Sequence, residues 1–239
     1  MTLLLASIFP VVIFLYVIYQ KDHEKEPWSL LLKCLAGGCF STILSLAFSL
    51  PLSSLSGLFP GDLLGSFQLS FLGAAIPEEV AKFIILYGLV WKSRELNHHY
   101  DGIIYAVFVS LGFALIENIL YVYQGGMQVA LVRAVLSVPG HGLFAVLMGY
   151  YFTLARFHEG GKRKEFLFKS LSLPILFHGG YNFLLFYMGA NSTNGIVLIV
   201  LLVAFAWLVI KLWRRGIYKI KKHLAADAKL LSQLTGEQA

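Results

Sequence analysis

About seven stretches of roughly 20 mostly apolar residues divide this chain, and that length crosses a bilayer's hydrocarbon core as a helix. They cover approximately 2–20, 28–50, 69–91, 102–124, 137–156, 167–189 and 195–213. The expected fold class is an all-α, polytopic transmembrane helix bundle. Residues 125–136 form either an interfacial helix or the leading part of the next span, broken at Pro139-Gly140, so eight spans are also possible. The composition agrees: 58% of the residues are hydrophobic and 13% charged, the latter about half the share usual for soluble domains. The net charge of +6 does not indicate a nucleic-acid partner, because the basic residues are scattered over loops and the tail. Cys34 and Cys39 lie five positions apart in one span and point to different faces, so no disulfide is expected.

Charge placement sets the expected orientation. Of the 19 lysines and arginines, all but Lys82 and Arg133 flank loops on one side. The positive-inside rule makes that side cytoplasmic, with the N-terminus outside and the C-terminus inside. The first span has no basic n-region and no small-residue cleavage site, so it reads as an uncleaved helix. Residues 1–213 are expected to form one integral-membrane domain, and 214–239 a basic amphipathic cytoplasmic tail, either on the anionic inner leaflet or solvated. The 51–66 loop, rich in Ser, Gly and Leu, belongs on the outer side. His23, His98, His99, His158 and His223 fall in loops or the tail and read as solvated.

Function is sought where polar groups enter lipid. A central charge costs about 3 kcal/mol even on lenient insertion scales, so each needs a partner or a task. The third span carries Glu78, Glu79 and Lys82, the fourth Glu117 and Asn118, the fifth His141, and the sixth His178 and Asn182. Lys82 follows Glu78 by four residues and Glu79 by three, so it can reach either. Phe113 with Glu117, and His178 with Asn182, are likewise one turn apart. At about 1.5 Å per residue, Glu78, Glu117, His141, His178 and Asn182 fall about 6–16 Å from the outer ends of their spans. Several helices thus aim acids, imidazoles and an amide at one layer of the membrane. Singly, each has a plainer reading: an ion pair fixing register, an interfacial histidine, or, for Asn118, a hydrogen bond to a neighbouring helix.

The ordered motifs EEVAK (Glu78, Glu79, Lys82), FALIE (Phe113, Glu117), His141 and HGGYN (His178, Asn182) resemble the PrsW family of intramembrane proteases, grouped with CAAX-processing and bacteriocin-processing membrane endopeptidases. The resemblance extends over almost the whole chain. It implies a site-one protease of the bacterial cell membrane. Its partner and substrate would be a single-pass anti-sigma factor, cut on the extracytoplasmic side to begin release of a sigma factor. CAAX-type relatives carry a histidine where this chain has Glu117, and there the leading glutamate and that histidine hold the attacking water. Glu117 or His141 must fill that role here.

The residues suit a metal-free scheme with no cofactor. Burial makes a carboxylate harder to ionise and Lys82 offsets this, leaving a usable general base. Glu78 is assigned as base, Glu79 as its support oriented by Lys82, His178 and Asn182 as oxyanion donors, and His141 with Glu117 as the rest of the water site. The alternative is a zinc protease with Glu78, Glu117, His141 and His178 as candidate Zn²⁺ ligands, although no HExxH is present. Two other classes fit the buried acids and histidines. A proton-coupled transporter would want broken helices and a polar route to both faces, whereas a membrane scaffold would use the ion pair only structurally.

Overall fold

The computed structural model describes residues 1–54 and 61–235, and among these the chain is all-helical. In chain order the helices are α1 (Thr2–Gln20), α2 (Trp28–Ser53), α3 (Asp62–Gln68), α4 (Ile76–Val90), α5 (Asp101–Val135), α6 (Ser137–Arg156), α7 (Gly160–Ala190) and α8 (Gly195–Thr235). A π-helical segment, Leu69–Ala75, joins α3 to α4 without a break. By length and apolar composition alone, four stretches qualify as membrane-spanning: Thr2–Gln20, Trp28–Leu52, Asp101–Arg156 and Gly195–Gln233. α4 and α7, which carry much of the ionisable set, do not meet that measure.

The first half of α5 forms the axis of the bundle. Every residue from Asp101 to Ala114 is buried, as expected of a helix that is apolar all round and packed on every side. α1, α2 and α6 pack against it. Where α2 crosses α5, a Cβ added at Gly38 would collide with the Val109 carbonyl, and one at Gly112 with the Leu35 carbonyl. Only glycine permits the two backbones to approach that closely.

Several boundaries differ from those expected. α2 continues through Pro51 to Ser53, and the third element begins at Asp62, so the connection is shorter than 51–66; residues 55–60 lie outside the described residues. Residues 125–136 are not followed by a break at Pro139-Gly140. The break comes earlier, at Gly126, whose φ of 72° lies in the left-handed region that glycine enters without a Cβ penalty. Pro139 instead sits in the first turn of α6, where its missing N–H costs no internal hydrogen bond.

Residues 214–235 prolong α8 and rest on the protein. Asp227 accepts hydrogen bonds from the backbone N–H groups of His99 and Tyr100 at 2.6 and 2.8 Å, tying this end to the α4–α5 connection. His223 is therefore buried, stacked on Tyr150 with ring centroids 4.1 Å apart, rather than solvated. Cys34 and Cys39 are both free, as their spacing predicts.

Candidate active site

Four elements deliver the polar residues to one place. The π-helical segment precedes α4, and the register tightens at Ile76-Pro77, where proline removes one backbone donor. Such wide turns recur at functional sites. The first turn of α4 then presents Glu78 and Glu79, with Lys82 one turn on.

The ammonium of Lys82 occupies the centre. It donates to Glu79 Oε1 at 2.8 Å, Glu78 Oε2 at 3.3 Å and His141 Nδ1 at 3.2 Å, and lies 4.1 Å from the centroid of the Phe113 ring. Lysine offers only N–H donors, so His141 Nδ1 must accept and the ring hydrogen sits on Nε2. Nε2 faces Glu117 Oε2 at 3.0 Å. The carboxylate of Glu79 also accepts from His178 Nδ1 at 2.8 Å, which leaves His178 Nε2 directed at Glu78 Oε2, 4.0 Å away. That gap is too long for a direct hydrogen bond and suits a bridging water.

Arg133, set apart from the other basic residues in the sequence, completes the network. The break at Gly126 redirects the end of α5 so that Arg133 donates to Glu117 Oε2 and Asn118 Oδ1, both at 2.7 Å. Asn118 in turn donates to the Ser7 carbonyl of α1 at 2.8 Å, the interhelical hydrogen bond expected of it. A continuous polar chain therefore runs from α7 through α4, α6 and α5 to α1. Buried polar networks of this kind fix one arrangement of the helices, whereas removing one partner strands a charge.

A cavity of 240 Å³ opens onto this chain. Glu78, Glu117, Arg133, His141, His178 and Asn182 line it, as do Tyr121 and Tyr181. The side chains of Glu78 and Glu117 are 13% and 21% exposed, while Glu79 and Lys82 are at 0%. Of the EEVAK pair, only Glu78 meets solvent. Glu79 is sealed behind it, with Oε2 unpaired among the described residues. The structure thus assembles all of Glu78, Glu79, Lys82, Phe113, Glu117, His141, His178 and Asn182. To these it adds Arg133, Tyr121 and Tyr181, which the sequence reading did not place there. The isolation of Arg133 was the signal that pointed to it; the tyrosines carried none.

The same residues provide metal-ligand chemistry. Glu78, Glu79, His141 and His178 each offer one donor atom, and the four lie within 4.8 Å of one another. Glu79 takes the place in this group that Glu117 held in the expected zinc set. Glu117 is instead engaged by Arg133 and His141.

Residues 26–210 match the family model described as PrsW family intramembrane metalloprotease. The chain is 35% identical over 222 residues to Protease PrsW of Oceanobacillus iheyensis, covering 93% of this chain and 96% of that protein. It is 35% identical over 239 residues to Protease PrsW of Clostridioides difficile, covering 95% and 94%. Against Protease PrsW of Bacillus subtilis it is 36% identical over 220 residues, covering 91% and 93%. No solved structure matches the chain. An ionisable set gathered among apolar helices, together with relatives matched along nearly their whole length, leads to one conclusion: this chain belongs to the PrsW family of intramembrane proteases.

Proposed function

We propose that the protein is a site-one protease of the bacterial cell membrane, spanning it several times with the N-terminus outside. It cuts a single-pass anti-sigma factor near the outer face, and Glu78 activates the water. The observation that carries this mechanism is the pairing of Glu78 and His178 across the cavity, 4.0 Å apart, each backed by the Lys82–Glu79 pair.

Glu78, Glu79 and Glu117 face two fixed cations among the described residues, Lys82 and Arg133. The mechanism uses His178 with a hydrogen on each ring nitrogen, the form in which both donate. With Nδ1–H given to Glu79, Nε2–H of His178 then points into the cavity.

The reaction follows from that state. Water held between Glu78 and His178 gives its proton to the Glu78 carboxylate as its oxygen bonds to the scissile carbonyl carbon. The carbonyl π electrons move onto oxygen, and His178 Nε2–H and the amide N–H of Asn182 stabilise the resulting oxyanion. When the tetrahedral intermediate collapses, the C–N bond breaks and the proton on Glu78 passes to the departing nitrogen. The products are a carboxylic acid and an amine. Glu117, held by Arg133 and His141, lines the opposite wall and orders water there.

The word metalloprotease in the family description implies a metal, and a donor set for one is present. Two carboxylates and two imidazoles are ligands that Zn²⁺ takes, and Glu78, Glu79, His141 and His178 would hold it. Bound there, it would supply Lewis-acid polarisation and a more acidic water. Lys82 already touches three of those four residues, so a divalent cation would compete with the ammonium for the same electrons. That competition favours the metal-free reading.

The deciding experiment is reconstitution in defined lipid with candidate single-pass anti-sigma factors. Wild-type protein is expected to cut one of them on its extracytoplasmic side. Glu78→Gln, folded and inserted, is expected to lose at least about 10²-fold in rate, the lower end for a general base. Cleavage by Glu78→Gln at the wild-type rate would remove Glu78 from the role.

A further inference from the structure

A second cavity faces lipid rather than the polar network. It is a 530 Å³ groove between α1, α6 and α8, and Lys21, at one end, is the one charged residue in its lining. Ile13, Val17 and Ile217 on its walls are 46–47% exposed. From Phe9 to Lys21 along α1 the groove runs about 18 Å, or more than three helical turns. Lipid alone could fill such a depression, but its position gives it another use.

The groove and the catalytic cavity lie on opposite sides of the first turn of α6, with a narrow gap between them. The gap shares Pro139, Leu143 and Trp213 with the groove, and Leu136 and Tyr181 with the catalytic cavity. Gly140 stands in the throat. A Cβ there would meet Phe144 and Tyr181 at 3.8–3.9 Å, ordinary contact distances, so helix packing does not demand a glycine. The gap holds about 10 Å³ and is closed to a peptide as it stands; the absent side chain at Gly140 reduces what must move to open it.

We infer that the α1–α6–α8 groove is the docking site for the transmembrane helix of the substrate. The outer end of that helix unwinds, parts α6 from α8 beside Gly140 and enters the catalytic cavity as an extended strand. The inference rests on the proteolytic reading and assigns the substrate its path. A helix seated by its apolar face needs side chains at i, i+3/i+4 and i+7, and three turns of groove accommodate that set. Unwinding is required because a helical carbonyl is already hydrogen-bonded along the axis and screened by its neighbours. The scissile bond accordingly lies at the outer end of the substrate's span.

Photo-crosslinking tests this directly. Benzoyl-phenylalanine is placed singly at Ile13, at Ile217 and, as a lipid-facing control, at Ile43 on α2, which is 62% exposed. Each protein is made in both the wild-type and the Glu78→Gln background and reconstituted with the single-pass anti-sigma factor that the wild type cuts. Positions 13 and 217 are expected to capture the substrate's span about tenfold more than position 43, a preference of about 1.4 kcal/mol. Equal capture at all three positions, or capture of lipid alone at 13 and 217 while the substrate is still cut, overturns the groove assignment and leaves the proteolytic reading standing. Failure of the wild type to cut any single-pass candidate overturns both.

Discussion

Lys82 Nζ lies 3.2 Å from Nδ1 of His141, an ammonium donating to an imidazole across two helices. This contact fixes the histidine as the neutral tautomer with its hydrogen on Nε2, aimed at Glu117. One side chain of α4 thereby sets the donor pattern on α5 and α6.

Lys82→Met should therefore damage more than a salt bridge. Glu79 would be left buried without its cation, with His178 Nδ1 as its remaining partner, a loss of about 3–5 kcal/mol. Thermal unfolding in detergent should show the loss, and cleavage should vanish. Adding Glu79→Gln to the same variant should recover much of the stability without recovering activity. Equal stability of Lys82→Met and wild type would contradict the assigned charge pairing.

Asn182 sits on the cavity wall one turn beyond His178. Asn182→Ala should lower kcat by about 10²-fold, the usual loss for one oxyanion donor, while KM changes little. Steady-state kinetics on the reconstituted substrate separates the two constants. A rise in KM alone would make Asn182 a binding residue.

Protein stripped of metal to below one-tenth occupancy, about the level at which a bound cofactor could no longer account for turnover, should keep its cleavage rate, since Lys82 already supplies the cation among these donors. Elemental analysis of the sample that was assayed is the control. Activity lost on stripping and restored by stoichiometric Zn²⁺ would establish the zinc scheme instead.

At the opposite end of the bundle, desolvation by burial pushes the Glu26 carboxyl up from 4.5 to about 7, against the opposing pull of its hydrogen bond from the Tyr105 hydroxyl. Burial likewise raises Asp22 to about 6. The folded state holds these protons at a pH where the unfolded chain has released them, so their contribution is full below about pH 4.5 and is lost as pH rises through about 7. The unfolding midpoint of the wild type should fall between pH 5 and pH 8. Glu26→Gln should flatten that slope, and an unchanged slope would discharge Glu26 as its source.

The residues of the candidate site were legible one by one, because a charge inside an apolar run is visible without any structure. Glu78, Glu79 and Lys82 could be paired from spacing alone, and both contacts are present. Asn118 could be assigned an interhelical hydrogen bond, although its acceptor, the Ser7 carbonyl, could not be named. Arg133 stood out as the one basic residue on the outer side but read as part of an interfacial helix. Its entry into the site depends on the backbone break at Gly126, and nothing local distinguishes that glycine from Gly125 beside it. His223 was misread as solvated because its burial depends on Tyr150, far away in sequence.

Composition and residue spacing are enough to specify a membrane-embedded, all-helical chain and the short set of side chains able to do chemistry in it. Hydrophobic length and helical spacing are local properties, and lipid leaves the backbone few alternatives. It takes the packed helices to show that Lys82 reaches His141, that Glu79 is sealed while Glu78 meets the cavity, and that an apolar groove narrows toward the same pocket. Those relationships depend on how closely α2, α5 and α6 approach and where α5 breaks, so they arise from packing between segments distant in the chain.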